Sequence, residues 1–413
     1  MGEERLNRFL GAFDEEAPTS IRINPRKVSS PSITPVPWCP EGFYLQGRPQ
    51  FTFDPLFHAG CYYVQEAASM FVTHILRTLL TTHSTFHIPH STLSALDMCA
   101  APGGKSTALR TVLPEGSLLV CNEPIANRAQ ILLENITKWG WSDCIVTNNY
   151  PRDFRKSKAT FDLILCDVPC SGEGMFRRDP ATIGEWSLQN VEKCWRLQRE
   201  IVADAWECLA PGGILIYSTC TFNTKENEEN IRWILETYDA EALEIPTDPS
   251  WNITGSLLQG FEAPVYRFIP GITRSEGLFV CALKKRGRWS DYRGVRSEEC
   301  GVRNVIKKVQ GLKVISLLEN HSSLPTPHSP LHTPHSSLLV PTLDLTYPEA
   351  LKYLRGEALV LPADTPRGIV NVTYRGIALG PVKNIGNRAN NLYPKAWRIK
   401  TTHLPTEAQE VLV

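Results

Sequence analysis

The chain has 413 residues, of which 42% are hydrophobic and 21% charged, and its 43 Lys and Arg balance its 43 Asp and Glu. This composition is that of an ordinary globular chain, and the length favours two or three domains. No apolar run approaches the roughly 20 residues of a membrane helix, and the start lacks the apolar segment of a signal peptide, so a cytoplasmic protein with no membrane partner is predicted.

Positive charge is concentrated locally although the formal net charge is zero. The first basic group lies in "SIRINPRK", with Arg22 and Arg26, and another consists of Arg177 and Arg178. Residues 381–400 include five Lys or Arg and no Asp or Glu. Such patches can contact the phosphates of a nucleic acid, and ordinary solvated surface is the alternative for each of them.

From about residue 94 to residue 285, short β-rich runs alternate with helical patterns of apolar residues. Strands are predicted at "SALDMCA", "SLLVCNE", "CIVTN", "FDLILCDV" and "GILIYSTC", with helices between them. After the last strand, Asn223 and Glu226 have the spacing of a capping box and predict the start of another helix. This alternation predicts an α/β fold with a parallel sheet, helices on both faces and ligands at the carboxyl ends of the strands.

The first strand runs into the sequence "LDMCAAPGGKSTAL", in which Asp97 ends the strand and a turn with Pro102, Gly103 and Gly104 leads into a helix. Glycines allow a ligand to approach the backbone closely, and a helix start offers free N–H groups. The spacing matches neither the dinucleotide fingerprint nor the Walker loop. Glu123 ends the next strand about 20 residues further on, where a carboxylate typically holds two ribose hydroxyls. The turn and the acid together predict an adenosine-containing cofactor, although a helix cap is the alternative for Glu123.

Two cysteines follow the last two of these strands. Cys170 lies in "DVPCSGEG", just after a strand that ends at Asp167, and Cys220 lies in "YSTCTF". Neighbouring strand ends share one crevice, so both thiols are expected near the cofactor. The 12 cysteines include no Cys-x-x-Cys pair, and no histidine lies between residues 91 and 320. Thiol chemistry is therefore favoured over a zinc site and no metal is predicted, with burial as small hydrophobic residues as the alternative.

The C-terminal part divides into a linker and a small module. Residues 321–338, "HSSLPTPHSPLHTPHSSL", have the low complexity of a flexible spacer, which is favoured over a metal-binding histidine tract. Residues 340–403 contain "YPEALKYLRGE", a predicted short helix, and "GIVNVTYRGIALGPVKN", a predicted hairpin. This segment is too small for an enzyme and is expected to be an accessory module.

The stretches "MCAAPGGKST", "DVPCSGEGMFRRDP" and "LAPGGILIYSTCTFNTKENE" together resemble the Fmu/Sun family of S-adenosylmethionine-dependent RNA (cytosine-5) methyltransferases. The resemblance spans about residues 18 to 285, and the C-terminal "YLRGEAL", "VTYRGIALG" and "NLYPKAWR" are similar to the PUA-like tail of the bacterial 16S ribosomal RNA branch, the RsmF type. It implies a small N-terminal RNA-binding region at 1–50, a Rossmann-like methyltransferase domain at 51–286, a reduced connecting region and linker at 287–339, and a PUA-like module at 340–413.

The same resemblance implies methylation of carbon 5 of a cytosine in RNA and assigns a role to each residue of the site. Cys220 attacks carbon 6 of the base, and Cys170 assists the later release of the product. Asp167 contacts the base, and Lys105 supports Asp167 or the substrate. S-adenosylmethionine is the expected cofactor, and the residues expected to bind it are Cys99, Ala100, Ala101, Pro102, Gly103, Gly104, Lys105, Glu123, Arg128, Asn148, Asn149 and Asp167.

Where the family often has an aspartate after the third strand, this chain has Asn148 and Asn149, and either is expected to replace it near the adenine. The expected partner is 16S ribosomal RNA of the small subunit, bound by a monomer. The alternatives are a transfer RNA methyltransferase and, in another class, a catalytically silent RNA-binding assembly factor. A DNA cytosine methyltransferase is disfavoured by the second cysteine, and a zinc deaminase by the lack of its motifs. The residues expected to contact RNA are Arg22, Arg26, Arg177, Arg178, Lys383, Arg388, Lys395 and Arg398.

Overall fold

The fold is known from a computed structural model. It describes residues 2–81, 92–141, 143–287, 302–316, 340–401, 403–408 and 411–412. The predicted spacer at 321–338 lies outside these ranges. In the described part of the chain, no helix is both long enough and apolar enough to cross a membrane.

The N-terminal region is built around a small antiparallel sheet. Its elements are α1 (Glu3–Gly11), β1 (Ser20–Ile23), β2 (Pro35–Val36), β3 (Cys39–Tyr44), α2 (Pro55–His58) and β4 (Tyr62–Val64). The strand order is β2-β3-β1-β4. The predicted boundary at residue 50 falls inside this sheet, because β4 lies beyond it and pairs with β1.

The central part of the chain is a layered α/β structure. Its elements are α3 (Phe71–Thr81), β5 (Ser94–Asp97), α4 (Gly104–Val112), β6 (Leu118–Asn122), α5 (Ala126–Trp139), β7 (Cys144–Thr147), α6 (Pro151–Ser157), β8 (Phe161–Asp167), α7 (Ala181–Glu185), α8 (Leu188–Cys208), β9 (Leu209–Thr219), α9 (Glu228–Thr237), β10 (Ala240–Ala242), β11 (Tyr266–Phe268), β12 (Leu278–Lys285), α10 (Val302–Val309) and β13 (Val314–Ser316). The five strands predicted from the sequence are confirmed as β5 to β9. The helix predicted from Asn223 and Glu226 begins later, at Glu228, because those two side chains close the preceding turn instead.

The central sheet has the order β10-β12-β9-β8-β5-β6-β7-β13, with β11 paired to β12. Strands β9, β8, β5, β6 and β7 are parallel, as predicted. The sheet as a whole is mixed, because β10, β11, β12 and β13 pair antiparallel to their neighbours. The chain order reverses between β5 and β8, and in open α/β sheets ligands bind at such a switch point. The carboxyl ends of β5 and β8 therefore locate the site.

Strand β8 shows why the sheet is buried on both faces. Leu163 and Leu165 belong to one core, with α3, α4 and α5, whereas Ile164 and Cys166 belong to the other, with α6, α8, α9 and α10. A parallel strand between two helical layers needs apolar residues at every position, which explains the continuous run "FDLILC". The helices thus cover both faces, as the alternation predicted.

The C-terminal module packs on the N-terminal sheet. It contains β14 (Thr342–Asp344), α11 (Tyr347–Leu354), β15 (Gly368–Tyr374), β16 (Ile377–Asn384) and β17 (Ala389–Asn391), which confirms the predicted helix and hairpin. A single apolar cluster joins Ile21 and Phe43 of the N-terminal sheet to Leu351 and Val370 of the module. The hydroxyl of Tyr347 also donates to the carbonyl of Phe53, 3.1 Å away.

Candidate active site

The two predicted cysteines lie next to each other at the carboxyl ends of β8 and β9. These strands are parallel neighbours, and Asp167 is paired in register with Ser218. Two or three residues further on, the Sγ atoms of Cys170 and Cys220 are 3.2 Å apart. The hydrogen bond between the sulfurs is the largest influence on both thiols, and it lowers the pKa of Cys220 while raising that of Cys170. Cys220 is therefore the thiol that more readily becomes a nucleophilic thiolate.

Lys105 and Asp167 form a hydrogen-bonded ion pair beside the sulfurs. Lys105 is the second residue of α4, and its Nζ lies 2.8 Å from Oδ2 of Asp167. The other carboxylate oxygen accepts a 2.7 Å hydrogen bond from the hydroxyl of Ser218. Burial lowers the pKa of Lys105, but Asp167 more than offsets this and the pKa is raised overall. The ammonium also favours the Cys220 thiolate. All four predicted catalytic residues are thus brought together.

The predicted cofactor turn is held from the neighbouring strand and helix. The backbone N–H of Ala100 donates to the carbonyl of Asn122, 2.8 Å away. Gly103, at φ 112°, has the left-handed backbone that a side chain would strain, and it leads directly into α4. Arg128 of α5 donates to the carbonyl of Ala101 at 3.0 Å. These contacts fix the backbone of the turn beside the carboxyl end of β5.

Glu123 is almost fully buried and is partly occupied by protein contacts. One carboxylate oxygen accepts from the backbone N–H of Ile125 at 2.9 Å, and the other lies 3.3 Å from the guanidinium of Arg128. The Arg128 side chain is 46% exposed, so its guanidinium stays solvated if ligand hydroxyls displace it, and those hydroxyls would then donate to the buried Glu123 carboxylate. The arrangement suits a carboxylate that receives two ribose hydroxyls.

The side chains of Asn148 and Asn149 are engaged by the segment before β13. Both polar groups of Asn149 bond the backbone of Lys313, at 3.1 and 2.9 Å. Asn148 donates to the carbonyl of Glu123 at 2.8 Å and accepts from Nζ of Lys313 at 2.6 Å. Either amide would have to exchange one of these bonds for an adenine contact, so the adenine assignment stays a prediction.

Asp97, predicted only as the end of a strand, also belongs to this site. It is 1% exposed, its Oδ2 accepts from the hydroxyl of Ser106 at 2.7 Å, and its Oδ1 forms no hydrogen bond within the described part of the chain. Burial raises the pKa of Asp97 to about 7. An orphaned buried carboxylate oxygen beside the glycine turn fits a cofactor that carries an ammonium group, as S-adenosylmethionine does. Its place directly before the turn in "LDMCAAPGGK" was the available signal.

Two of the arginines predicted to contact RNA are structural instead. Arg22 is 0% exposed and donates to Gln65, Thr107 and Thr111 side chains and to the carbonyl of Gly104. A guanidinium with these buried partners is not available to a phosphate, so that prediction is corrected.

Arg177 is the second arginine that was predicted to contact RNA and is instead bound within the protein. Its guanidinium forms an ion pair with Glu276 at 2.7 Å and donates to the carbonyls of Ala12 and Ser275. The adjacent Arg178 is exposed, and it lines a cavity of about 430 Å³ that also includes Arg48 and Glu66. The exposed residues among the predicted RNA contacts are Arg26, Arg178, Lys383, Arg388 and Lys395, and Arg398 is half-buried.

The described residues contain no group of three or more His, Cys, Asp or Glu side chains that would hold a metal ion.

Three family models match the chain. The model for 16S rRNA methyltransferase RsmB/F matches residues 86–284, that for the N-terminal domain of 16S rRNA methyltransferase RsmF matches 1–67, and that for the methyltransferase RsmF PUA domain matches 340–399. The matched ranges follow the N-terminal sheet, the central sheet and the C-terminal module.

Curated relatives carry the name ribosomal RNA small subunit methyltransferase F. The protein of Cronobacter sakazakii is 33% identical over 303 residues, which are 68% of this chain and 59% of the relative. That of Salmonella agona is 30% identical over 457 residues, covering 94% of this chain and 92% of the relative. The chain thus spans about three fifths of the first relative and nearly all of the second.

Solved structures share the fold. A methyltransferase homolog protein from Pyrococcus horikoshii is 27% identical and superposes with a TM-score of 0.56, covering 68% of this chain and 91% of that one. The structure of NSun6 from Pyrococcus horikoshii with SFG is 20% identical, also with a TM-score of 0.56, and covers 70% of this chain and 96% of that one. Both likenesses support the Rossmann-like architecture.

Proposed function

Because the chain belongs to the RsmF-type family of 16S rRNA methyltransferases, we propose that it transfers a methyl group from S-adenosylmethionine to carbon 5 of a cytosine in 16S ribosomal RNA. One observation carries the chemical part of the proposal. Two thiols lie 3.2 Å apart beside a hydrogen-bonded Lys–Asp pair, at the switch point of the sheet. This arrangement suits a reaction that uses two cysteines in succession.

Carbon 5 of cytosine is too weak a nucleophile to be methylated directly. The Cys220 thiolate adds to carbon 6, and the electron pair of the 5,6 double bond moves toward N3, which makes carbon 5 nucleophilic. Cys220 suits this role because its pKa is lowered by the hydrogen bond with Cys170, and because Lys105 lies nearby. S-adenosylmethionine, when bound, supplies the sulfonium methyl group that carbon 5 takes up.

Asp167 and Lys105 stabilise the charge that thiol addition creates. A carboxyl group at the end of β8 reaches N3 or the exocyclic amine of an extruded base, and Lys105 keeps the surroundings cationic as negative charge develops. Ser218 holds the second oxygen of Asp167 and so fixes the plane of the carboxylate. The geometry is ready before the base arrives, which is how preorganised groups lower a barrier.

Cys170 serves the last stage. After methylation the proton on carbon 5 passes to solvent water, and the electron pair it leaves behind restores the 5,6 double bond. The bond between Cys220 and carbon 6 breaks in the same step, and its electron pair departs with the sulfur as a thiolate. Cys170 has a raised pKa and is therefore a neutral thiol that donates a hydrogen bond to the Cys220 thiolate as it departs, across 3.2 Å. Product release thus depends on a second thiol that the first attack does not consume.

The residues around the glycine turn hold the cofactor. Glu123 receives the ribose hydroxyls, the backbone of residues 99–104 lines the nucleoside, and the free Oδ1 of Asp97 receives the ammonium of the methionine part. The ion pair between Arg128 and Glu123 opens when the ribose binds. The adenine side is formed by residues 148–149 together with Lys313.

RNA contacts come from the exposed basic residues of the N-terminal region, of the segment that follows Cys170, and of the C-terminal module. They are Arg26, Arg178, Lys383, Arg388 and Lys395. A cytoplasmic monomer that acts on the small ribosomal subunit, without a metal, is the assembly that this proposal implies.

The decisive experiment is bisulfite sequencing of total RNA from a deletion strain and from the same strain complemented with the wild-type or Cys220→Ala gene. One 5-methylcytosine in 16S RNA is expected to disappear and to return only with the wild-type gene. Loss of a transfer RNA mark with 16S RNA unchanged would contradict the ribosomal substrate. An unchanged set of marks, with a defect in subunit assembly, would identify a silent RNA-binding factor.

A further inference from the structure

Two glutamates connect the loops that carry the catalytic sulfurs. Here the Cys170 loop is residues 168–174 and the Cys220 loop is residues 220–227. Glu173, in the Cys170 loop, accepts from the backbone N–H groups of Phe222 and Asn223, both at 2.8 Å. Glu226, in the Cys220 loop, accepts from the backbone N–H of Ser171 at 3.0 Å. Each loop is therefore bound by a carboxylate from the other.

The remaining oxygens of both carboxylates are bonded as well. Glu173 accepts from the indole N–H of Trp186 at 3.0 Å. Glu226 accepts from the amide of Gln198 at 2.6 Å, and Asn223 donates to Glu226 at 2.7 Å and to Glu173 at 3.1 Å. Among the described residues neither carboxylate has an ion-pair partner, so directed N–H donors alone compensate their charge.

These contacts join the two loops beyond the point where the pairing of β8 with β9 ends. The register of β8 with β9 ends at the pair of Asp167 and Ser218, and both sulfurs lie beyond that pair. One main-chain bond, from Gly174 to the carbonyl of Cys220 at 2.7 Å, joins the loops further on. The position of one sulfur relative to the other is therefore set mainly by side chains.

We propose that Glu173 and Glu226 are positioning residues that keep the two sulfurs at reacting distance, and that each acts on the thiol of the opposite loop. Glu226 holds the backbone directly after Cys170, and so governs the release step. Glu173 holds the backbone two and three residues after Cys220, at Phe222 and Asn223, and so governs the attack step. The catalytic meaning of this pairing rests on the proposed function, whereas the geometric claim does not.

The geometric claim is tested without RNA or cofactor. The full-length wild type, Glu173→Gln and Glu226→Gln are treated with diamide, which removes two hydrogens from two thiols, and the disulfide between Cys170 and Cys220 is quantified by peptide mass spectrometry over time. Glutamine keeps one acceptor oxygen but places an NH2 donor against N–H groups that the other carboxylate oxygen accepted from, so both variants are expected to form the disulfide about tenfold more slowly. Glu236→Gln on α9, an exposed site away from the loops, is the matched control and is expected to match the wild type.

The catalytic claim is tested by separating attack from release with 16S RNA and S-adenosylmethionine. Glu226→Gln is expected to accumulate a covalent protein–RNA adduct as methylated product falls about tenfold, and Glu173→Gln is expected to lose adduct and product together. Asp variants at both positions, which keep the charge, are expected to recover part of each rate. Thermal unfolding of every variant is measured in parallel.

Wild-type disulfide rates in both Gln variants would overturn the proposal. So would a Glu226→Gln variant that loses adduct and product together, in proportion to its loss of thermal stability. If a Gln variant does not fold, the Asp variant replaces it in both assays and the same outcomes apply. Slow disulfide formation in the variants of a protein that methylates no RNA would retain the positioning role and reject the proposed function alone.

Discussion

Asp97 offers a sharp test of how the site is poised before the cofactor binds. Its carboxyl is buried, has one oxygen without a hydrogen bond in the described part of the chain, and has a pKa of about 7 because burial disfavours the charged form. We expect Asp97→Asn to stabilise the free protein at pH 8 and to weaken its binding of the cofactor.

The magnitude follows from the difference between the folded and unfolded states. A pKa that rises from about 3.9 in an unfolded chain to about 7 in the folded one corresponds to a loss of about 4 kcal/mol of stability. Since the folded pKa is the higher one, this stability is fully present below about pH 4 and is lost as the pH rises to about 7. Asparagine carries no charge, so its advantage over aspartate is expected to be larger at pH 8 than at pH 5 by about 2–3 kcal/mol.

The assay is equilibrium urea unfolding of the wild type and Asp97→Asn at pH 5 and pH 8. Asp239→Asn, at a mostly exposed carboxylate, is the matched control and is expected to change stability by less than about 0.5 kcal/mol. Titration with S-adenosylhomocysteine, which has the same ammonium group, is expected to show wild-type affinity rising through pH 7 and Asp97→Asn affinity without this rise. An equal gain at both pH values, or a loss at pH 8, would refute the reasoning.

Three further predictions concern residues with contrasting surroundings. Cys220→Ala is expected to abolish methyl transfer and covalent RNA capture, whereas Cys170→Ala is expected to accumulate the adduct on denaturing gels; accumulation by Cys220→Ala would reverse the two roles. Arg22→Met is expected to cost about 3 kcal/mol in urea unfolding because it leaves buried acceptors unpaired, while the salt dependence of RNA binding stays unchanged; a reduced salt slope would restore Arg22 as a phosphate contact. Replacing both Lys383 and Lys395 by alanine is expected to lower the salt slope of RNA binding by about 1–2 without changing the free energy of unfolding. An unchanged slope would contradict a role of these two lysines in RNA binding.

The parallel strands and the two cysteines are predictable because their signals are local. A strand between two helical layers is a continuous apolar run, and "FDLILC" has that form. Residues that directly follow adjacent parallel strands meet at one edge of the sheet, so Cys170 and Cys220 are neighbours by topology alone. The 3.2 Å separation of their sulfurs requires more, since it depends on side chains in two loops.

Which basic residues are buried could not be predicted, because their partners are distant in the sequence. The partners of Arg22 lie 43 residues away at Gln65 and 85 residues away at Thr107. Nothing in "SIRINPRK" separates Arg22, which is buried within β1, from Arg26, which is exposed in the turn after that strand. Likewise, Asn149 is bound by Lys313, and a partner 164 residues distant leaves no mark on the sequence around it.

The contacts of Arg22 also determine whether the N-terminal region can be transferred to another protein. From β1 its guanidinium reaches Gly104 and Thr107, at the start of the helix that follows the cofactor turn, and it lies over the ring of Trp139. A hybrid that grafts this N-terminal region onto another methyltransferase would carry a buried arginine without its acceptors on α4. The N-terminal region is therefore not independent of the central sheet, and a functional hybrid has to transfer the surface of α4 along with it.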